Sequence, residues 1–428
     1  MTPPNDLLRT SFERALAAAD PLEIVAAHLP APPPGRTLVV GAGKAAAAMA
    51  RAVEAAWDEK APLEGLVITR YAHGYEDEGL TPRIRVIEAG HPVPDDQGEQ
   101  AAREIAERAA KLGPDDLLLC LVSGGGSSLL SLPAPGLSMD DLKNANRQLL
   151  HSGAAIQDMN RVRKHLSAIQ GGRLAASTKA RVLALIISDV PGDEPTHIAS
   201  GPCSPDASTF ADALDIIRRY AMQMPDAVMA HLEKGARGEI AETPKPGDDI
   251  FARTDVRIIS KSLDSLGAAA AYFESQGITP VVLGDTIEGE AREVAKVMAA
   301  IARQVKREGT PWTPPVALIS GGETTVTVRG RGRGGRNAEF LLGLAMALDG
   351  LPGVHAIACD TDGIDGSEDN AGAIIRPDSL ARAIELGLSP RAMLDDNDGY
   401  SFFEALGDLI VTGPTRTNVN DFRVLLIV

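Results

Sequence analysis

From position 37 onward, short apolar runs alternate with longer stretches of helical period, the pattern of strands and helices in a parallel α/β sheet. In the first half the runs predict strands over 37–40, 65–69, 84–88, 116–122 and 182–188, with Ala-rich helices over 44–57 and 97–112 between them. A helical region over 139–177 is interrupted at Ser152-Gly153 and at Gly171-Gly172, and two more helices are expected over 210–222 and 227–234. The stretch 235–249 is rich in Gly, Pro and charge and lacks any period, so it reads as a connection between domains. Alternation then restarts, with strands over 256–260, 279–283, 316–320, 324–329, 354–359 and 423–428. Helices over 262–275, 290–307 and 337–348 lie between them. Residues 1–20 carry Asp6, Arg9, Glu13 and Arg14 among apolar positions, which suits an amphipathic helix and not a secretory signal. The expected domains are therefore 1–240 and 250–428.

Composition narrows the functional classes. A chain of 428 residues exceeds one compact core, and its 44% hydrophobic and 23% charged content is ordinary for a globular protein. Aromatic residues make up only 4%, and the net charge of −16 would repel a phosphate backbone, so nucleic acid is not an expected partner. No apolar run approaches the roughly 20 residues that cross a bilayer, and no membrane role is expected. Cys120, Cys203 and Cys359 are far apart without CxxC spacing, which fits neither a disulfide framework nor a zinc site. A reducing cytoplasmic location is the matching expectation.

The candidate chemistry collects at strand ends, where helix N-termini attract anions in open α/β sheets. Gly41-Ala42-Gly43-Lys44-Ala45-Ala46 follows the first strand. It lacks the first glycine and the Ser/Thr of a phosphate-binding P-loop, but it matches the weak dinucleotide pattern GxGxxA. The second strand, however, ends in Thr69-Arg70 without an acid to hold an adenosine ribose. Lys44 opposes the helix dipole, so an anionic ligand is its most economical partner; a solvated surface lysine is the alternative. Ser123-Gly124-Gly125-Gly126-Ser127-Ser128 follows a very apolar strand and suits a nest for phosphate oxygens more than a simple turn.

Two carboxylates, Asp189 and Asp193, lie on the next strand-end loop, where they could bind Mg²⁺, accept a hydroxyl proton or merely make a turn. Further on, Ser320-Gly321-Gly322-Glu323 precedes Arg329, Arg331, Arg333 and Arg336, threaded on glycines. This pattern suits a mobile clamp on phosphate or carboxylate, with a solvated basic loop as the alternative. The loop starting at Asp360 imitates a calcium-binding loop but has Ile364 and Ala371 at ligand positions, which excludes an EF-hand. His91-Pro92-Val93-Pro94-Asp95 reads as a rigid loop leading into a helix N-cap.

Taken in order, the segments at 41–46, 90–95, 122–130, 160–175, 188–206, 320–340, 360–367 and 412–421 resemble the type II glycerate kinase family, whose C-terminal part is called MOFRL. The resemblance spans nearly the whole chain. It implies an α/β fold, with a Rossmann-like N-terminal domain of mostly parallel sheet, a smaller α/β C-terminal domain and a cleft between them. It further implies ATP, Mg²⁺ and D-glycerate, with 2-phospho-D-glycerate as product. Lys44 and Arg336 resemble the family's essential basic pair.

On this basis Asp189 would act on the 2-hydroxyl and Asp193 and Asp360 would bind Mg²⁺. The expected nucleotide contacts are Gly41, Gly43, Ser123, Gly124, Gly125, Gly126, Ser127, Ser128, Glu323 and Asn337, and a homodimer is compatible with this reading. Two other functions remain open at this point. One is an NAD(P)H-dependent hydroxypyruvate reductase, a name carried by some family members. The other is a non-catalytic regulator that binds a nucleotide or a sugar phosphate.

Overall fold

Residues 2–75 and 82–428 are described by the computed structural model, and among them the chain forms two units. One unit is Pro21–Ile259; the other combines Met1–Asp20 with Ser260–Val428.

The first unit is built on strands β1 (Thr37–Ala42), β2 (Leu63–Arg70), β3 (Ile84–Ala89), β4 (Leu117–Val122), β5 (Arg181–Ile187) and β6 (Thr254–Ser260). Their order is β3-β2-β1-β4-β5-β6, and the pairs β3/β2, β2/β1, β1/β4 and β4/β5 are parallel. Every residue of β1 and β4 is buried, which explains their continuous apolar runs: helices cover both faces of a parallel sheet. The order reverses its direction of growth between β1 and β4. The loops leaving the carboxyl ends of these two strands therefore part at the position where doubly wound sheets place ligands.

The second unit contains β7 (Thr279–Gly284), the two-residue strands β8 (Gly289–Glu290) and β10 (Thr324–Thr325), β9 (Val316–Ser320), β11 (Val354–Asp360), β12 (Gly372–Ile375), β13 (Leu409–Ile410) and β14 (Asp421–Ile427). Its main sheet runs β13-β12-β11-β14-β9-β7, with β14 antiparallel to both β11 and β9 and β7 parallel to β9. It is a mixed sheet, so the alternation of apolar runs and helices correctly indicated α/β layers without fixing strand direction.

The division differs from the expected 1–240 and 250–428 in two places. β6, assigned by sequence to the second domain, extends the first sheet. Ile250 is buried in that unit's core, and Phe251, Val256 and Ile258 pack against the same cluster. At the other end of the chain, the helix Pro4–Ala17 has the expected amphipathic character. Its buried face (Leu7, Leu8, Phe12, Ala15) packs with Leu266, Phe273, Ile357 and Phe422 of the second unit. Periodicity announces an apolar face but not the core that will receive it. The strand expected over 324–329 shrinks to Thr324–Thr325, while β12, β13 and the helices Ser379–Glu385, Pro390–Asp395 and Gly399–Leu406 are too short to have stood out as periodic segments.

Candidate active site

In the first unit the Gly41–Ala46 turn is locked to the loop after β4. A Cβ on Gly41 would lie 1.9 Å from Leu121 O, and one on Gly43 would lie 2.1 Å from Ser123 Oγ, so both glycines answer the close approach of β4. The amides of the turn are engaged as well. Gly43 N donates to Ile68 O (3.0 Å), Lys44 N to Gly124 O (2.8 Å) and Ala46 N to Gly43 O (3.1 Å). Ala45 N donates to the buried Ser123 Oγ at 3.0 Å. The sequence suggested that these amides could face an anion; the structure instead commits them to the neighbouring loop. Gly41, Gly43 and Ser123 thus form a joint that fixes where the side chain of Lys44 starts.

Lys44 itself is half-buried and lies against the glycine turn. Gly125 is left-handed at φ 80, and a Cβ there would come within 2.9 Å of His91 Nε2 and 3.6 Å of Lys44 Cγ. Gly125 is therefore required twice over, by its backbone conformation and by the side chains closing on it. His91, which the sequence pattern marked as part of a rigid loop, shares this place with Lys44. Asp95 does cap the following helix, accepting from Gly98 N (3.0 Å) and from Tyr71 Oη (2.7 Å).

The rest of the turn is tied from below. Ser128 Oγ donates to Gly125 O (3.1 Å), Gln170 Nε2 donates to Ser127 O (2.9 Å), and Ser127 Oγ sits 3.0 Å from Ser200 Oγ. Ser200 belongs to a feature that the sequence did not reveal. Ala199 (φ 50), Ser200 (φ 56) and Gly201 (φ 57) are three consecutive left-handed residues, all buried. Two of them carry a Cβ, a combination that stores strain and is held by its surroundings. A Cβ on Gly126 would meet the Ala199 methyl at 2.5 Å, so the strained segment and the glycine turn are packed as one body. Asp189 and Asp193 lie half-buried on the loop between β5 and this segment, and Asp193 is left-handed at φ 55.

The second unit holds a different kind of site. Arg336 opens the helix Arg336–Leu348, and its guanidinium spans three carboxylates: Nε to Asp421 (2.8 Å), Nη1 to Glu323 (2.7 Å) and Nη2 to Asp360 (2.9 Å). Burial alone would lower the pKa of Arg336, but Asp421, Asp360 and Glu323 more than reverse this and raise it. Behind it, the fully buried Arg423 pairs with Asp421 and donates to Gly321 O (2.9 Å). Burial pushes Asp421 up, yet Arg336 and Arg423 together hold it below the usual carboxylate range. Asp365 caps the same helix, accepting from the amides of Asn337 (2.9 Å) and Ala338 (2.8 Å). Its burial raises its pKa to about 6 despite those two bonds.

Two expectations change here. Asn337 is buried and bonded to Asp421 (2.9 Å), so it ties the helix start together. The arginine- and glycine-rich segment is a docked strap, not a mobile clamp. Gly332 N donates to Asp396 O (2.9 Å), Tyr400 N donates to Arg333 O (2.9 Å), and the amides of Arg329, Arg331 and Arg333 bond Asn397, Asp396 and Asp398 side chains. The glycines are needed for this contact: Cβ atoms on Gly330, Gly332 and Gly335 would lie 2.3, 2.4 and 2.3 Å from Asp396, Asp398 and Asp365.

Among the described residues no group of three or more His, Cys, Asp or Glu is arranged to hold a metal ion. Asp360 Oδ2 accepts from Arg336 and Oδ1 accepts from Asp362 N at 3.0 Å, so both of its oxygens are engaged. A cation there would also face the guanidinium. Asp360 does not fit the metal role expected of it, and among the described residues there is no preformed magnesium cage.

Comparison with known proteins follows the same two-part division. Residues 7–233 match the family described as "Domain of unknown function (DUF4147)", and residues 316–421 match the MOFRL family. The chain is 50% identical to a putative hydroxypyruvate reductase of Agrobacterium vitis over 98% of this chain and 94% of that protein. It is 37% identical to the D-glycerate 2-kinase of Thermotoga maritima, covering 100% of both chains. It also superposes on the crystal structure of a glycerate kinase from Thermotoga maritima with a TM-score of 0.87 at 36% identity, covering 99% of each chain.

Proposed function

Since the chain belongs to the glycerate kinase family, with its DUF4147 and MOFRL segments in their two places, we propose that it transfers the γ-phosphoryl group of ATP to the 2-hydroxyl of D-glycerate. The products are 2-phospho-D-glycerate and ADP. The observation that carries the reading is the placement of Lys44 against the left-handed Gly125, at the end of the sheet where its strand order reverses.

Phosphoryl transfer asks the protein chiefly for positioning and charge neutralisation. In the proposal Lys44 neutralises charge on the transferring group, and the turn Gly124–Gly126 with Ser127 and Ser128 receives phosphate oxygens. Asp189 accepts the proton of the 2-hydroxyl as its oxygen bonds to the γ-phosphorus and the bond to the bridging oxygen of ADP breaks. Arg336 recognises an anionic group of the substrates. Because three carboxylates already balance its charge, its role is to present a rigidly aimed fork of donors and not to supply free positive charge. Magnesium enters as part of the nucleotide substrate, for which one or two carboxylates suffice, and Asp193 is the available candidate. A cytoplasmic location is part of the proposal, supported by three buried free cysteines.

The reductase reading draws on the sheet order and the GxGxxA pattern, both of which suit a dinucleotide. It conflicts with the hydrogen bonds: the amides of Lys44 and Ala45, which would face a pyrophosphate, donate to Gly124 O and Ser123 Oγ. A coupled assay with D-glycerate and ATP, run beside an NAD(P)H assay with hydroxypyruvate, tests the choice. Glycerate-dependent ADP release with 2-phosphoglycerate as product is expected. Loss of NAD(P)H absorbance on adding hydroxypyruvate, without ADP release from glycerate, would overturn the proposal.

A further inference from the structure

Lys164 is among the largest fully buried side chains of the protein, at 1% exposure. It projects from the helix Ile156–Leu166 and donates through Nζ to Thr196 Oγ1 at 2.5 Å and to Asp206 Oδ1 at 3.4 Å. An ammonium is a costly way to fill a core, since desolvation of a charge is repaid only by well-placed partners. Here the shorter bond goes to a neutral threonine and the ion pair is the longer one. Asp206 in turn accepts from Ser208 Oγ at 2.7 Å, while its Oδ2 has no hydrogen-bond partner among the described residues. Burial lowers the pKa of Lys164, offset in part by Asp206.

What Thr196 touches gives the contact its meaning. A Cβ on Gly201 would lie 2.9 Å from Thr196 Cα, so the threonine backbone is pressed against the last of the three left-handed residues. The helix Ile156–Leu166 that carries Lys164 and the turn that follows it also grip the segment. Gly171 N donates to Ser200 O (2.9 Å), Gly172 N to Gly201 O (2.8 Å) and Asn160 Nδ2 to His197 O (3.4 Å). Ser200 then meets Ser127 of the glycine turn, and Gln170 of the turn after the Lys164 helix donates to Ser127 O. A chain of direct contacts thus leads from the buried ammonium through Thr196 and the strained segment to the turn that Lys44 covers.

We propose that Lys164 is a positioning residue for phosphoryl transfer: through its bond to Thr196 it holds Ala199–Ser200–Gly201 in the left-handed conformation that sets the Ser127 end of the glycine turn. The kinetic half of this inference rests on the kinase reading above; the structural half does not.

The test is Thr196→Val, which removes the acceptor with little change of shape and leaves the Lys164–Asp206 pair intact. Thr196→Ser restores the acceptor. Lys164→Met is the complementary variant, but it strands a buried carboxylate and is expected to lower stability as well. Amide hydrogen exchange over 195–204 is measured against β4 and β5 as internal references, together with kcat and KM for D-glycerate and ATP. In Thr196→Val, exchange in that segment should rise about tenfold and kcat should fall about tenfold with each KM within about threefold, the signature of lost alignment. Thr196→Ser should return both. Unchanged exchange in Thr196→Val, or a Thr196→Ser protein that behaves like the valine variant, would overturn the inference. So would a rise of KM alone. If the native protein phosphorylates no glycerate, the kinase reading fails, and exchange alone still decides whether Lys164 holds the segment.

Discussion

Ser-Gly-Gly closes a buried apolar strand twice, at 123–125 after β4 and at 320–322 after β9, and the two copies are used differently. In the first, side chains close over the glycine: Gly125 is left-handed beneath His91 and Lys44. In the second, main chain closes over it. A Cβ on Gly322 (φ 102) would lie 2.2 Å from Ile287 O, Gly321 N donates to Gly284 O (2.9 Å), and Asp421 N donates to Gly322 O (3.2 Å). The second copy is a backbone joint that seats Asp421 beneath Arg336. A glycine cluster at a strand end therefore reports that something comes too close for a Cβ. Whether that is a catalytic side chain or another stretch of backbone depends on the surroundings.

This contrast can be broken by experiment. The largest effect is expected from Lys44→Ala, which should lower kcat about 10³-fold, the scale of a lost cationic stabiliser in phosphoryl transfer, with Tm close to that of the native protein. Near-normal turnover would reduce the first copy to a packing joint like the second. Gly322→Ala comes next. With a backbone oxygen at 2.2 Å the site cannot adjust cheaply, so chemical denaturation should show a loss of about 4 kcal/mol, with stability lowered more than kcat per folded molecule.

Gly125→Ala should behave in the opposite way. The left-handed alanine costs about 1–2 kcal/mol, and the displaced His91 and Lys44 side chains lower kcat more than Tm. If both alanine variants lost stability and activity in the same proportion, the distinction between the two turns would fail.

The smallest effect concerns the buried carboxylate of the second region. Desolvation raises the folded-state pKa of Asp365 to about 6, above its unfolded value. The resulting stabilisation is complete below the unfolded pKa and is lost as pH rises through about 6. Asp365→Asn cannot titrate. The stability difference between native protein and variant should therefore favour the native chain by about 1 kcal/mol more at pH 5 than at pH 7. Equal differences at the two pH values would show that Asp365 is not held in this way.

The sequence alone was enough for the alternation of strands and helices in the first sheet, the amphipathic first helix and the family resemblance. Each rests on local periodicity or on the order of motifs. It also picked out Lys44, Arg336 and the glycine turn. The strained Ala199–Ser200 pair escaped it because left-handed backbone at residues with a Cβ leaves no mark in residue type.

Tertiary structure decided the rest. It placed β6 in the first sheet, carried the first helix to the second unit, spent the amides of the Gly41–Ala46 turn on the loop after β4, and surrounded Arg336 with acids. The deciding contacts join residues far apart in sequence, 78 positions for Ala45 with Ser123 and 85 for Arg336 with Asp421. Hydrogen-bond satisfaction and charge balance are properties of such pairs, and no single segment of sequence contains both members.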